Sequence, residues 1–85
     1  MELQQQFEAA VAASKTLSQK PENDILLQLY ALYKQGTEGD VNVAAPENMF
    51  DFVAKAKYQA WEGIKGKAKE VAMQEYIDLV NKLKG

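Results

Sequence analysis

The 85-residue chain contains no cysteine and no histidine. Without cysteine there is no disulfide framework and no thiolate metal site. Without histidine it lacks the commonest general base and the commonest transition-metal ligand. The hydroxyls of Ser14, Thr16, Ser18 and Thr37 therefore have no imidazole to activate them. Arginine is absent as well, so any anion site must rely on lysine ammonium groups acting as point charges. No stretch approaches the roughly 20 apolar residues that span a bilayer. The opening Met1-Glu2-Leu3-Gln4-Gln5-Gln6 lacks the positive end and apolar run of a secretory signal. These absences set the expectation of a cytoplasmic, non-catalytic protein with no cofactor and no metal.

What is present is ordinary for a folded protein. Hydrophobic residues make up 47% and charged residues 26%, which argues against a disordered chain and allows one domain over residues 1–85. The net charge of −2 argues against a general nucleic-acid binder, which would be basic.

Apolar residues recur at helical spacing throughout. Leu3, Phe7, Val11, Ser14 and Leu17 step by three or four, and Lys20-Pro21 is the expected end of this first helix. A second helix begins between Pro21 and Asp24, carries the stripe Leu26, Leu29 or Tyr30, and Tyr33, and stops at Gly36 or Gly39. Residues 36–48 form the one long irregular stretch. A third helix places Val53, Ala56, Lys57, Ala60, Trp61 and Ile64 on one side, with Gly63 and Gly66 at its end. The fourth runs from about Ala68 to Leu83, with Ala72, Met73, Tyr76, Val80 and Leu83 spaced for burial. No period-two stretch predicts a strand. The expected fold is all-α, with four helices around one thin core.

Two features point to a ligand. Tyr30, Tyr33 and Lys34 share one helical face, where phenols can stack on a ring while an ammonium takes a phosphate. Lys55, Lys57, Lys65, Lys67 and Lys69 gather half of the chain's bases, interrupted by one acid, Glu62. Lys57 falls on the apolar side of its helix, where an ammonium needs a counter-charge from the protein or a ligand. Taken singly, these features also fit two tyrosines in a core and a solvated lysine face.

Together the residues resemble the acyl-CoA-binding protein family. The string Tyr30-Ala-Leu-Tyr33-Lys34-Gln35-Gly-Thr37-Glu-Gly39-Asp40-Val-Asn42 is similar to its signature. Phe7-Glu8-Ala9-Ala10 and Lys20-Pro21 precede it at the family's spacing. Lys55-Ala56-Lys57-Tyr58-Gln59-Ala60-Trp61, Lys65-Gly66, Ala72-Met73 and Tyr76-Ile77-Asp78 follow, so the match runs from about Phe7 to Leu83. The resemblance implies an up-down-down-up four-helix bundle that binds and carries long-chain fatty acyl-CoA. It implies that Tyr30, Lys34 and Lys57 hold the 3′-phosphate, that Tyr33 packs on the adenine, and that Tyr76 closes the site. Lys15 and Ala10 match head-group contacts, and Leu26 and Leu27 match the start of the acyl groove. The expected partner is the acyl-CoA itself. The protein would act as a monomer in transient contact with acyl-CoA-using enzymes or membrane surfaces, and not with nucleic acid.

The chain departs from the family pattern in places. The segment 43–52 is one residue longer, Ala45 replaces an arginine before Pro46, Tyr58 replaces a second tryptophan, and Ala68 replaces a capping serine. A helical protein-interaction module and an RNA binder are the competing readings. The acids Glu38, Asp40 and Glu47 beside the tyrosines oppose the second of these.

Overall fold

The computed structural model describes residues 2–48 and 50–84. Among these residues there are four helices and no strand: α1 (Leu3–Ser14), α2 (Asn23–Glu38), α3 (Phe52–Glu62) and α4 (Lys69–Lys84). Pairings along the helices give their directions. Gly39 faces Lys69, Gly36 faces Met73, and the rings of Tyr33 and Tyr76 lie 6.4 Å apart, so α2 and α4 are antiparallel. Leu26 and Leu27 share a groove with Val53 while Lys34 lies over Trp61, so α2 and α3 are parallel. Phe7 meets Tyr76 while Ala13 and Leu17 share a hollow with Leu83, so α1 and α4 are parallel. The bundle is up-down-down-up.

Packing follows the order α3–α2–α4–α1. The central pair therefore has helical neighbours on two sides, whereas α3 packs on α2 alone. Burial reflects this. Helix α4 buries Ala72, Tyr76, Ile77 and Val80, but α3 buries only Trp61. The core joins Phe7, Ala10, Leu29 and Leu32 to that α4 face.

Three sequence expectations are corrected. Helix α1 ends at Ser14, well before Pro21. There Ser14 Oγ donates to the Val11 carbonyl (2.7 Å) and Thr16 Oγ1 to that of Ala13 (3.0 Å). The Lys15 and Thr16 amides turn back three residues, to Ala12 and Ala13. These local hydrogen bonds replace the helical ladder before proline can break it. In α2 the core face is Leu29, Leu32 and Gly36, while Tyr33 is 40% exposed. The stripe through Leu26, Tyr30 and Tyr33 is a second apolar face, which a helix with two neighbours can support. Gly39 at φ +84° ends the helix, whereas Gly36 sits inside it and lets Met73 and Phe7 approach.

The third correction concerns α3. Its inner face is covered only at the C-terminal end: Trp61 is 2% exposed, but Val53 is 65% and Phe52 72% exposed. Ile64 lies beyond the helix, which ends at Glu62. Lys57 is exposed rather than enclosed. The spacing identified its helical side correctly, but no second helix covers that side. Asp51 starts α3 by accepting the Ala54 amide at 3.0 Å.

Candidate functional site

Two grooves meet on one face of α2. The first, of about 320 Å³, is walled by Val11, Ser14 and Lys15 at the end of α1 and by Pro21 in the following turn. Leu26, Leu29, Tyr30 and Tyr33 of α2 and Tyr76 of α4 complete it. Its floor is aromatic. Phe7 stacks against Tyr33 at 6.0 Å and meets Tyr76 edge-on at 5.2 Å, which fixes the Tyr33 ring while leaving its outer surface open. Tyr76 itself is buried, and its hydroxyl donates to Ser14 Oγ at 3.1 Å, which in turn donates to the Val11 carbonyl. Burial raises the Tyr76 pKa above the usual phenol value, so the hydroxyl stays a donor.

The second groove, of about 410 Å³, lies between the N-terminal halves of α2 and α3. Leu26, Leu27, Phe52, Val53 and Ala56 make it apolar, with Asn23 and Lys57 at its polar margins. Leu26 lines both grooves, so they lie side by side on this residue of α2. An aromatic hollow thus adjoins an apolar trench.

Lys57 stands where the grooves meet, with Lys34 one turn away. Lys57 Nζ lies 5.4 Å above the Tyr30 ring, and one turn further along both helices Lys34 Nζ lies 5.1 Å above the Trp61 ring. Each helix thus supplies one ammonium and one ring, and the two pairs are crossed cation–π contacts. The lysines differ in their other partners. Lys34 is ion-paired with Glu38, whose hydrogen bond raises the lysine pKa above its usual value. Among the described residues Lys57 has no ion-pair partner.

A polar latch holds the far end of this face. Gln35 is fully buried (0% exposed), and its amide donates to Asp40 Oδ1 (2.8 Å) and to the Lys67 carbonyl (2.7 Å). Asp40 Oδ1 also accepts the Gly66 amide at 2.7 Å, which together with Gln35 holds its carboxyl below the usual aspartate pKa. Trp61 Nε1 donates to the Gly39 carbonyl at 2.9 Å. The turn after α2 is thereby fastened to α3 and to the α3–α4 turn. Sequence reasoning assigned no role to Gln35 or Asp40. The available signal was an amide at a helical position that buries one turn after Leu32.

The structure brings Tyr30, Tyr33, Tyr76 and Lys15 into one groove, Leu26 and Leu27 into the adjoining one, and Lys57 to the junction. Lys34 is beside them on α2, turned toward Trp61. Ala10 is not part of this set. It is a core residue on the α4 side of α1, lining a separate hollow with Ile77 and Val80.

Comparison with known proteins extends this picture over nearly the whole chain. Residues 4–80 match a family model described as acyl CoA binding protein. The chain is 51% identical over 77 residues to acyl-CoA-binding protein homolog 1 of Caenorhabditis elegans, covering 91% of this chain and 88% of that one. It is 49% identical over 80 residues to enoyl-CoA delta isomerase 2 of Rattus norvegicus, where 94% of this chain corresponds to only 20% of the larger protein. Among solved structures, Oryza sativa acyl-CoA-binding protein 2 superposes with a TM-score of 0.90 at 40% identity, covering 96% of this chain and 90% of that one. The four-helix fold is thus shared with the Oryza sativa protein along most of both chains, the sequence match covers nearly as much of the Caenorhabditis elegans protein, and the chain belongs to the acyl-CoA-binding protein family.

Proposed function

We propose that this protein binds one long-chain fatty acyl-CoA and carries it unchanged, as a monomer, to enzymes or membrane surfaces that use it. The observation that carries the reading is that an aromatic groove and an apolar one adjoin at Leu26, because the ligand also has two unlike halves. The adenine would stack on the open face of Tyr33, with Tyr76 contributing its hydroxyl edge rather than a ring face. The 3′-phosphate would meet Tyr30, Lys57 and Lys34, and Lys15 would meet the remaining head-group charge. The acyl chain would run past Leu26 and Leu27 into the trench against Val53 and Phe52, covering apolar surface that α3 leaves open.

The energetics divide in the same way. A tail of about sixteen carbons buries its methylenes at ~0.8 kcal/mol each, against the entropy cost of association. The head fixes orientation and discriminates against free fatty acid. The thioester meets no nucleophile–base pair in this reading, so the activity is binding alone. Titration calorimetry with palmitoyl-CoA, free coenzyme A and free palmitate is the test. The expected result is one-to-one binding of palmitoyl-CoA far tighter than either half. Palmitate binding as tightly as palmitoyl-CoA would overturn the reading.

A further inference from the structure

We propose that Glu38 is a specificity-determining residue: it competes with the ligand's 3′-phosphate for Lys34 and so sets how strongly that phosphate is recognised. The inference rests on the acyl-CoA reading above and concerns a residue which that reading does not use. Three observations carry it.

First, the Glu38 carboxylate holds the Lys34 ammonium directly, on the helical face that also presents Tyr30. Its other oxygen accepts from Asn42 Nδ2 at 3.5 Å, so the carboxylate is held from a second side. Second, the helix gains little from a glutamate here. Glu38 is the last residue of α2, at the negative end of the helix, whose last turn contains no base. The Lys34–Glu38 order is also the weaker orientation for such a pair. Third, the partner lysine across the interface is not neutralised in this way, because Lys57 has a ring but no carboxylate among the described residues. A phosphate dianion entering between the helices therefore meets one free ammonium and one already shared. To use Lys34 fully it must displace Glu38 or bind beside it against repulsion.

The magnitude follows from the nature of the pair. Both side chains are partly exposed, and exposed ion pairs of this kind correspond to roughly two- to fivefold in an equilibrium constant. Glu38 is a modulating residue, not a block.

The test is calorimetric titration of the wild type, Glu38→Gln, Lys34→Ala and the double variant with palmitoyl-CoA and with its 3′-dephospho analogue. Glu38→Gln is expected to tighten palmitoyl-CoA roughly two- to fivefold and to leave the dephospho analogue unchanged. In the Lys34→Ala background the same substitution is expected to gain nothing, since the competition needs the lysine. Unchanged or weaker binding of palmitoyl-CoA by Glu38→Gln overturns the proposal. So does an equal gain on both ligands, which would make Glu38 a source of general field only. A wild type that fails to bind palmitoyl-CoA overturns the acyl-CoA reading itself. A wild type that binds and prefers the phosphorylated ligand, with Glu38→Gln flat, overturns only the role of Glu38.

Discussion

The two sides of α2 are built differently. Toward α4 and α1 it contributes Leu29, Leu32 and Gly36 to a core that includes Phe7, Tyr76 and Val80. Toward α3 it meets a helix anchored at one end by Trp61 and open at the other, where Phe52 and Val53 remain exposed. The first side is a finished core. The second is an apolar surface left uncovered at a cost in stability, and its open half coincides with the trench assigned to the acyl chain. The trench is therefore separated from the core by α2, whereas the aromatic hollow shares Leu29 and Tyr76 with that core.

The largest test of that division is a set of three truncations followed by chemical denaturation. Phe7→Ala and Trp61→Ala should each cost about 3–5 kcal/mol, because each removes a fully enclosed aromatic ring. Val53→Ala should shift stability by no more than about 0.5 kcal/mol, as for an open surface position, yet weaken long-chain acyl-CoA measurably. A Val53 variant as destabilised as Phe7→Ala would show that α3 is packed along its whole length and would end the comparison.

A smaller effect sharpens the division at the junction of the grooves. Lys57→Ala should leave the unfolding midpoint nearly unchanged, since the side chain is exposed and, among the described residues, its ammonium lies over the Tyr30 ring without an ion pair. It should weaken palmitoyl-CoA by about 1.5–3 kcal/mol, the range for a hydrogen bond to a charged group, and scarcely affect the dephospho analogue. Equal losses on both ligands would assign Lys57 to the general field instead of the phosphate.

The smallest effect is in the latch and is read by pH. The Gly66 amide, and then the Gln35 amide, hold the Asp40 pKa below its value in the unfolded chain. A carboxyl lowered on folding stabilises the fold above the unfolded pKa of about 3.9, and that contribution is lost as pH falls through the folded value. Denaturation at a series of acidic pH values should therefore show a stability loss below about pH 4 that is shallower in Asp40→Asn. An identical slope in the variant would mean that Asp40 does not couple the latch to protonation.

The division was only partly legible in the sequence. Helical spacing found the α4 face through Ala72, Tyr76 and Val80, because the residues that α4 buries, with Ile77, fall on one side of that helix. The same spacing merged two faces of α2, since a central helix is apolar in more than one direction and periodicity does not say which neighbour each direction meets. It placed Lys57 on the side that turns inward, which is correct, but whether another helix covers that side is a property of the packing order. Pro21 was a sound stop signal that never came into play, because Ser14 and Thr16 ended α1 earlier through their own hydroxyls. Gln35 and Asp40 pair with the α3–α4 turn, and a contact across 32 residues, as from Gln35 to Lys67, leaves no periodic trace.

The hydrogen bond from Tyr76 to Ser14 spans 62 residues, and it carries a kinetic meaning beyond its place in the groove. It brings the last helix to the first, so it closes a loop of most of the chain. Loop-closure entropy opposes such contacts most, and they slow folding more than neighbouring ones do. These same two residues help to line the aromatic groove. A chain whose α2 and α3 have already paired would hold the trench and both cation–π contacts but only part of the head-group hollow. Capacity to bind the head should therefore arise with the docking of α1 on α4, late in folding and together with the complete core.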